Sequence, residues 1–281
     1  MTEVSAASPE AFEIPCKDGL TIRGEVYPAE SSLGTVIICH GFKGFAHWAF
    51  FPYLARKLAE NGLTAITFDF SGSGIGADRE SFTEPEAFAG NTLTRELEDL
   101  ENITDYARRR KLITGKFGLF GHSRGGGTAI LFTPTPDSDV SSLVTWAAIS
   151  YPNRWSSDDV LKWRRQGFAD ITNSRTGQIM KLGTDLLDDV ELHGKTKLNI
   201  EAAAAKIKIP WLIIHGTKDE TVPSSEADLL HSLSRRVSTL RLIDGAGHSF
   251  EAKHPLDEVP PVLEKVVLET VKFFVRNATP K

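Results

Sequence analysis

Three residues of the 281-residue chain have the types and settings for nucleophilic acyl chemistry: Ser123, Asp219 and His248. A serine hydroxyl is a weak nucleophile at neutral pH, so it needs a neighbouring base, and that base needs an acid to fix its tautomer. Ser123 stands in Gly121-His122-Ser123-Arg124-Gly125-Gly126-Gly127, between the apolar run Lys116 to Phe120 and the helical run Thr128 to Phe132. G-x-S-x-G between a strand and a helix makes a tight turn that lifts the hydroxyl out of a sheet, and its glycines remove side chains that would clash. His248 follows the run Thr239 to Ile243 in Gly245-Ala246-Gly247-His248, and Asp219 follows Trp211 to His215 in Gly216-Thr217-Lys218-Asp219. Each therefore falls in a loop at the C-terminal end of a predicted strand. Among other acids, Asp69 precedes a glycine turn and reads as shaping the loop after its own strand. Asp244 is too close in sequence to His248 to orient it, and Glu220 is the neighbour of the better-placed Asp219. The run Ser142 to Ile149 ends in Ser150-Tyr151-Pro152-Asn153, with no carboxylate.

Acyl transfer also needs donors for the developing oxyanion. The run Thr35 to Cys39 leads directly into His40-Gly41-Phe42, where glycine lets backbone amides approach a ligand. The N–H groups of Phe42 and Arg124 are the expected pair. His40 and His215, beside glycines at strand ends, read as loop fasteners, and His122 as packed under the serine turn. His47, His193, His231 and His254 carry no signal above surface background, and no histidine pair has zinc-protease spacing, so neither metal nor cofactor is expected. Gly72-x-Gly74-x-x-Ala77 matches the dinucleotide fingerprint in form only, because Asp78-Arg79-Glu80 follows where an apolar helix face is needed.

The elements that must position these residues alternate short β-branched runs with longer helical ones, which predicts an α/β sheet. Phe12 to Pro15 and Leu20 to Tyr27 straddle Asp18-Gly19 as an opening hairpin. Thr35 to Cys39, Thr64 to Phe68, Lys116 to Phe120, Ser142 to Ile149, Trp211 to His215 and Thr239 to Ile243 read as strands covered on both faces. Helical spacing marks His47 to Asn61, Leu93 to Lys111 and Val262 to Asn277. Leu93 to Lys111 carries its acids first and its bases Arg108 to Lys111 last, as the helix dipole favours.

One stretch breaks the rhythm. Residues 153–207 separate two core strands by more than a crossover helix requires, and read as an inserted cap of helix, hairpin and helix on a catalytic domain made of 1–152 and 208–281. The helical segments fall around Asp158 to Gln166 and Asn199 to Lys206, and the hairpin pairs Phe168 to Thr172 with Gln178 to Leu182 around Asn173 to Gly177. Trp155, Trp163, Phe168, Ile179 and Met180 are too few for an independent core and are expected to pack down on the main domain. Trp155 and Trp163, with Phe42 and Phe45, are candidates for the wall of an acyl or aryl pocket.

At about 150 residues per domain, the length allows about 1.9 domains, which this insertion resolves into one domain and a cap. Hydrophobic residues at 41% and charged residues at 25% exclude a disordered chain or coiled coil. A net charge of -5 argues against a nucleic-acid partner. Two cysteines, Cys16 and Cys39, argue against a disulfide scaffold and a four-ligand zinc site. Met1 to Phe12 has no signal-peptide pattern and no apolar run reaches membrane-spanning length, so a cytoplasmic protein with no membrane partner is expected.

His40-Gly41-Phe42, Asp69-Phe70-Ser71-Gly72-Ser73-Gly74, the Ser123 turn, His215-Gly216-Thr217-Lys218-Asp219 and Gly245-Ala246-Gly247-His248 together resemble the marks of the α/β-hydrolases, whose order is serine, acid, histidine. The resemblance spans nearly the whole chain and implies a mostly parallel eight-stranded sheet with helices on both faces. Within that superfamily the chain is similar to bacterial carboxylesterases of the feruloyl (cinnamoyl) esterase kind, which carry a short helix-and-hairpin cap. Serine at position 123 separates it from epoxide hydrolases and haloalkane dehalogenases, which use aspartate there, and from dienelactone hydrolases, which use cysteine. The implied activity is cleavage of a small-molecule carboxylic ester through an acyl-enzyme. The same apparatus serves acyl-CoA thioesterases, for which Arg154, Lys162, Arg164 and Arg165 would supply a basic entrance, and aminopeptidase-like amidases. A non-catalytic receptor of the same fold, and a homodimer, stay open at this point.

Overall fold

The computed structural model describes residues 8–173 and 176–278. The chain opens with β1 (Glu10–Pro15) and β2 (Thr21–Tyr27), antiparallel around Gly19 at φ 87°. There follow β3 (Gly34–Cys39), α1 (Phe50–Glu60), β4 (Leu63–Asp69), α2 (Pro85–Ala89), α3 (Leu93–Arg109), β5 (Phe117–His122), α4 (Arg124–Phe132) and β6 (Val140–Trp146). The chain then builds α5 (Ser157–Gln166), β7 (Phe168–Thr172), β8 (Ile179–Gly183), α6 (Asp185–His193) and α7 (Ile200–Ala204). It returns through β9 (Trp211–Gly216), α8 (Ser225–Ser234), β10 (Ser238–Ile243) and α9 (Pro261–Asn277).

Eight strands form one sheet in the order β1-β2-β4-β3-β5-β6-β9-β10. The pairs β1–β2 and β2–β4 are antiparallel and the rest parallel. Alternate side chains serve opposite faces. Ile37 and Cys39 join Ile66 and Phe68 against α3, α4, α7 and α8, while Val36 and Ile38 join Ala65 against α1 and α9. This two-sided burial explains why β4, β5 and β9 are buried along their whole length. The order of the chain reverses around β3, so the C-terminal ends of β3, β5 and their neighbours open onto a shared crevice.

Several expectations change. α1 starts at Phe50 rather than His47, because Ala49 at φ 39° interrupts the helix. The inserted stretch carries one helix more than the expected helix, hairpin and helix, namely α6, and α7 packs into the main core through Ile200, Ala203 and Ala204. The hairpin turn falls partly on 174–175, which lie outside the described residues, as do residues 1–7 of the stretch read for a signal peptide. Trp163, Met180, Leu182, Leu186 and Leu187 form a third apolar cluster with Phe45, Ile75, Phe82 and Phe88 of the main domain. That cluster is how the insertion is seated. Ile179, expected to join it, is 64% exposed, because strand alternation turns Met180 and Leu182 inward instead. No helix follows the glycines of 72–74 before α2, so the dinucleotide pattern has no helix N-terminus to offer. Among the described residues no helix is long and apolar enough to cross a membrane.

α3 braces the loop after β4 through Asp99, which accepts from the Ser71 amide at 2.7 Å and its hydroxyl at 3.0 Å. Burial, aided by the nearby Glu96 charge, outweighs those hydrogen bonds and pushes the Asp99 carboxyl up to about 7. Between its unfolded value and about 7 the folded chain holds the extra proton, so wild-type stability from this group is lost as pH rises through that window. Asp99→Asn keeps an acceptor for the Ser71 amide but does not titrate. The melting temperature of the variant relative to wild type is therefore expected to climb between pH 4 and 7. Thermal melts across that range check it, and a flat difference would refute the raised carboxyl.

Candidate active site

β5 ends at His122 and α4 begins at Arg124, so Ser123 alone turns the chain, at φ 55° and ψ -121°. A non-glycine residue at positive φ is strained. Here the surroundings hold it. The Ser123 amide donates to Trp146 O at 2.9 Å, and its carbonyl accepts from Gly126 N at 3.0 Å and Ile149 N at 3.2 Å. The flanking glycines are required by contact: a Cβ at Gly121 would lie 2.3 Å from Gly125 O, and one at Gly125 would lie 2.2 Å from His40 O. The β3 loop thus packs directly on the elbow. A Cβ at Gly41 would stand 3.0 Å from Ser123 Cβ.

His248 Nδ1 lies 2.7 Å from Asp219 Oδ2. With the carboxylate accepting from Nδ1–H, the Nε2 lone pair is left to act as a base. Asp219 is fixed on both oxygens: Oδ1 accepts from the amides of Thr221 and Val222, each at 2.9 Å. Oδ2 also meets His215 Nε2 at 3.2 Å, whose N–H reaches Val222 O at 2.9 Å. Burial alone would push the Asp219 carboxyl up, but the hydrogen bonds from His215, His248 and the Val222 amide outweigh it and hold it well below the usual carboxylate range. The competing acids are engaged elsewhere. Asp244 accepts from Thr217 Oγ1 at 3.2 Å on the surface, and Glu220 is exposed. Asp69 accepts from Ala46 N at 2.6 Å and meets Arg79 Nε at 3.7 Å, so it pins the loop after β3 as well as the loop after its own strand.

His40 donates from Nδ1 to Gly41 O at 2.8 Å and accepts at Nε2 from Phe70 N at 3.1 Å, tying the β3 loop to the end of β4. Burial holds its ring down to about 4, so it is neutral in this role. His122 is likewise neutral, lowered to about 3 by burial and by the His248 charge, and its Nε2–H donates to His248 O at 3.1 Å. That bond fastens the histidine loop to the elbow. Sequence spacing gave no signal for it, nor for the second histidine on Asp219, nor for His47 and His254, which brace the same region. His47 stands 3.2 Å from Glu25, and His254 Nδ1 accepts from Ala49 N at 3.0 Å.

Ser123, His248, Phe42 and Arg124 line one cavity of about 360 Å³. Among the described residues no backbone carbonyl accepts from the N–H of Phe42 or Arg124. Two unengaged amides beside a serine, that of Arg124 at the start of a helix, can bind an oxyanion. Their side chains also meet: the Arg124 guanidinium carbon is 5.1 Å from the centre of the Phe42 ring, and Arg124 Nε is 2.9 Å from Glu96 Oε1. Glu96 in turn accepts from Thr128 Oγ1 at 2.8 Å. Phe45 and Trp155 line the cavity with Trp48 and Phe82. Trp163 does not. It is buried behind Trp155, edge-on at 5.0 Å, because the cap cluster claims its indole, so it supports the wall instead of forming it. Among the described residues no three His, Cys, Asp or Glu side chains are grouped to hold a metal ion.

The bases considered for a CoA entrance are divided. Arg154 pairs with Glu226 at 2.8 Å and Arg164 with Asp188 and Glu191. Lys162 and Arg165 border a separate depression beside Leu161 on α5.

Comparisons with known proteins agree with this architecture. A family model described as the alpha/beta hydrolase fold matches residues 34–165, and one of the dienelactone hydrolase family matches 180–277. The second match contains Asp219 and His248 and stops short of the elbow, where this chain has serine. The uncharacterized protein YfhR of Salmonella typhi is 26% identical over 251 residues, covering 86% of this chain and 75% of that protein. Est1E from Butyrivibrio proteoclasticus, in a structure with ferulic acid bound, gives a TM-score of 0.70 at 21% identity, covering 95% of this chain and 99% of that one. A putative hydrolase from Agrobacterium vitis S4 gives 0.74 at 18% identity, covering 96% and 100%. Both family models fall on one continuous eight-stranded sheet, and the chain has the alpha/beta hydrolase fold.

Proposed function

We propose that this hydrolase cleaves carboxylic esters through a serine acyl-enzyme. One observation carries the reading: His248, held by Asp219 at 2.7 Å, shares a cavity wall with Ser123 and the unengaged amides of Phe42 and Arg124. In this mechanism Ser123 Oγ attacks the ester carbonyl carbon while its proton passes to His248 Nε2. The carbonyl oxygen becomes an oxyanion between the Phe42 and Arg124 amides. Collapse breaks the bond to the alcohol, which leaves with the proton from Nε2. Water then attacks the acyl-enzyme, giving its proton to the same nitrogen, and the acid departs as Ser123 recovers the proton. Asp219 stays ionised throughout and holds the imidazole in its working tautomer.

Phe45, Trp48, Phe82 and Trp155 give the cavity flat apolar walls, which favour an aryl or short acyl group. The bound ferulic acid of Est1E is consistent with such a substrate. An acyl-CoA thioesterase is less well supported, since its phosphates would need the bases that pair with Glu226, Asp188 and Glu191. The test is a fluorophosphonate probe on the intact protein, followed by peptide mapping and a comparison of aryl esters, alkyl esters, acyl-CoAs and aryl amides. Labelling at Ser123 with ester turnover is expected. No labelling there would remove the mechanism, and a preference for amides or acyl-CoA would replace the ester reading.

A further inference from the structure

The charge on the cavity wall runs opposite to the charge of the chain. The protein has 37 acidic and 32 basic residues, yet the residues lining this cavity include Lys43, Arg124 and Arg154 and no aspartate or glutamate. Two of the three cations are held from behind by buried carboxylates. Arg124, itself buried, has Glu96 at its Nε and leaves Nη2 without a hydrogen-bond partner. Arg154 has Glu226, which also accepts from the Ser150 amide at 2.6 Å and is thereby fixed away from the cavity. These carboxylates orient the guanidiniums and offset their charge. Lys43 is different. Among the described residues it has no carboxylate partner, and its Nζ reaches only the carbonyl of Thr172, at 3.4 Å, on the cap hairpin.

The position of Lys43 is set by the backbone. The Gly44 amide closes on Gly41 O at 2.9 Å, and Lys43 sits in that turn at φ 60°, directly after Phe42. A cation is thus built into the loop that would hold the oxyanion, at the seam between the main domain and the cap. The N-terminus of α4 adds its positive end at the same cavity. Lys43 itself is exposed at the cavity mouth, so its field there is partly screened by solvent and salt. A neutral ester would gain from this field only at its developing oxyanion. An ester carrying its own negative charge would gain at Lys43 as well.

We propose that the substrate is an anionic ester, one whose acyl or alcohol part bears a carboxylate that lies against Lys43 while the ester carbonyl lies at Ser123. The inference rests on the serine-esterase reading above and narrows its substrate class. It also separates a carboxylate on the substrate from the phosphates of CoA, which would lie outside a cavity of about 360 Å³.

Two matched pairs test it on the full-length protein: monomethyl adipate against methyl hexanoate for the acyl side, and 4-acetoxybenzoate against phenyl acetate for the alcohol side. At low salt, kcat/KM is expected to favour the charged member of at least one pair by about fivefold or more, and the preference should shrink in 0.5 M salt. The ratio of charged to neutral should fall about threefold in Lys43→Gln, as for a partly exposed charge pair, and about tenfold in Lys43→Glu. Preference for the neutral member in both pairs, or a ratio unchanged by both variants, would overturn the proposal. So would an acyl-CoA preferred over all four esters with the same dependence on Lys43, which would assign the cation to a phosphate. Failure of the esterase reading looks different: neither neutral ester is turned over and Ser123 takes no probe, and the substrate inference then falls with it.

Discussion

Replacing Ser123 by alanine is expected to lower kcat/KM toward every ester the protein cleaves by roughly 10⁵- to 10⁶-fold, the scale seen when a serine hydrolase loses its nucleophile. The residual rate should still exceed that in water by about 10³-fold, because the Phe42 and Arg124 amides and the cavity survive the change. The variant should fold as the wild type does. Alanine keeps the Cβ, so the backbone at φ 55° is neither relieved nor further strained, and the amide and carbonyl bonds of the elbow involve no side-chain atom. Melting temperature and circular dichroism check the fold, and steady-state kinetics check the loss. A variant retaining more than a few per cent of wild-type turnover would mean that another residue attacks the carbonyl.

Asp219→Asn should cost about 10⁴-fold in kcat, by a different route. The carboxylate accepts four hydrogen bonds, from His248 and His215 on one oxygen and from the Thr221 and Val222 amides on the other. An asparagine has one oxygen and one NH₂. With its oxygen toward the amides, the NH₂ faces two histidine donors, and His248 answers by moving its proton to Nε2, which removes the lone pair meant for Ser123. With its oxygen toward the histidines, the NH₂ faces two backbone donors and the turn after β9 loosens. The first orientation predicts a loss confined to kcat, and the second adds a fall in melting temperature. Asp244→Asn is the control. Its carboxylate meets Thr217 on the surface, and kinetics should barely change. If Asp244→Asn proved the more damaging of the two, the acid assigned here would be the wrong one.

Much of this site is legible in the sequence because the constraints on it are local. The elbow needs glycine at positions 121 and 125 whatever surrounds it, since a Cβ at either would fall on neighbouring backbone. The acid declares itself because it follows a continuous apolar run, as a parallel strand buried on both faces produces. The histidine does so because its glycine loop follows the next strand, β10, although that strand lies at the sheet edge and is largely exposed, contrary to the two-sided cover expected of it. Trp163 shows where this kind of reading stops. Composition marks it as a cap aromatic, but whether a ring faces a cavity or packs behind another ring depends on which neighbour occupies the space first. α2, α6 and α8 go unread for a related reason. They are short, and their apolar faces are completed by residues from other parts of the chain.

The sequence by itself determined the sheet, the order of serine, acid and histidine, and the loops that carry them. Each of these follows from backbone geometry and burial acting over a dozen residues or fewer. Only the tertiary structure decided how the three groups are braced and what they face. Asp219 has a second histidine, the amides of the β3 loop and the elbow have side chains joined through Phe42, Arg124 and Glu96, and His122 ties the histidine loop to the elbow. The cavity wall, with Lys43 and no acid, is likewise assembled from β3, the elbow, the cap and the last loops. Apart from His215 and Asp219, four positions apart, these contacts join residues separated by tens to more than a hundred positions. No local pattern encodes them, because their energy depends on distances that exist only after the sheet has brought the loops together.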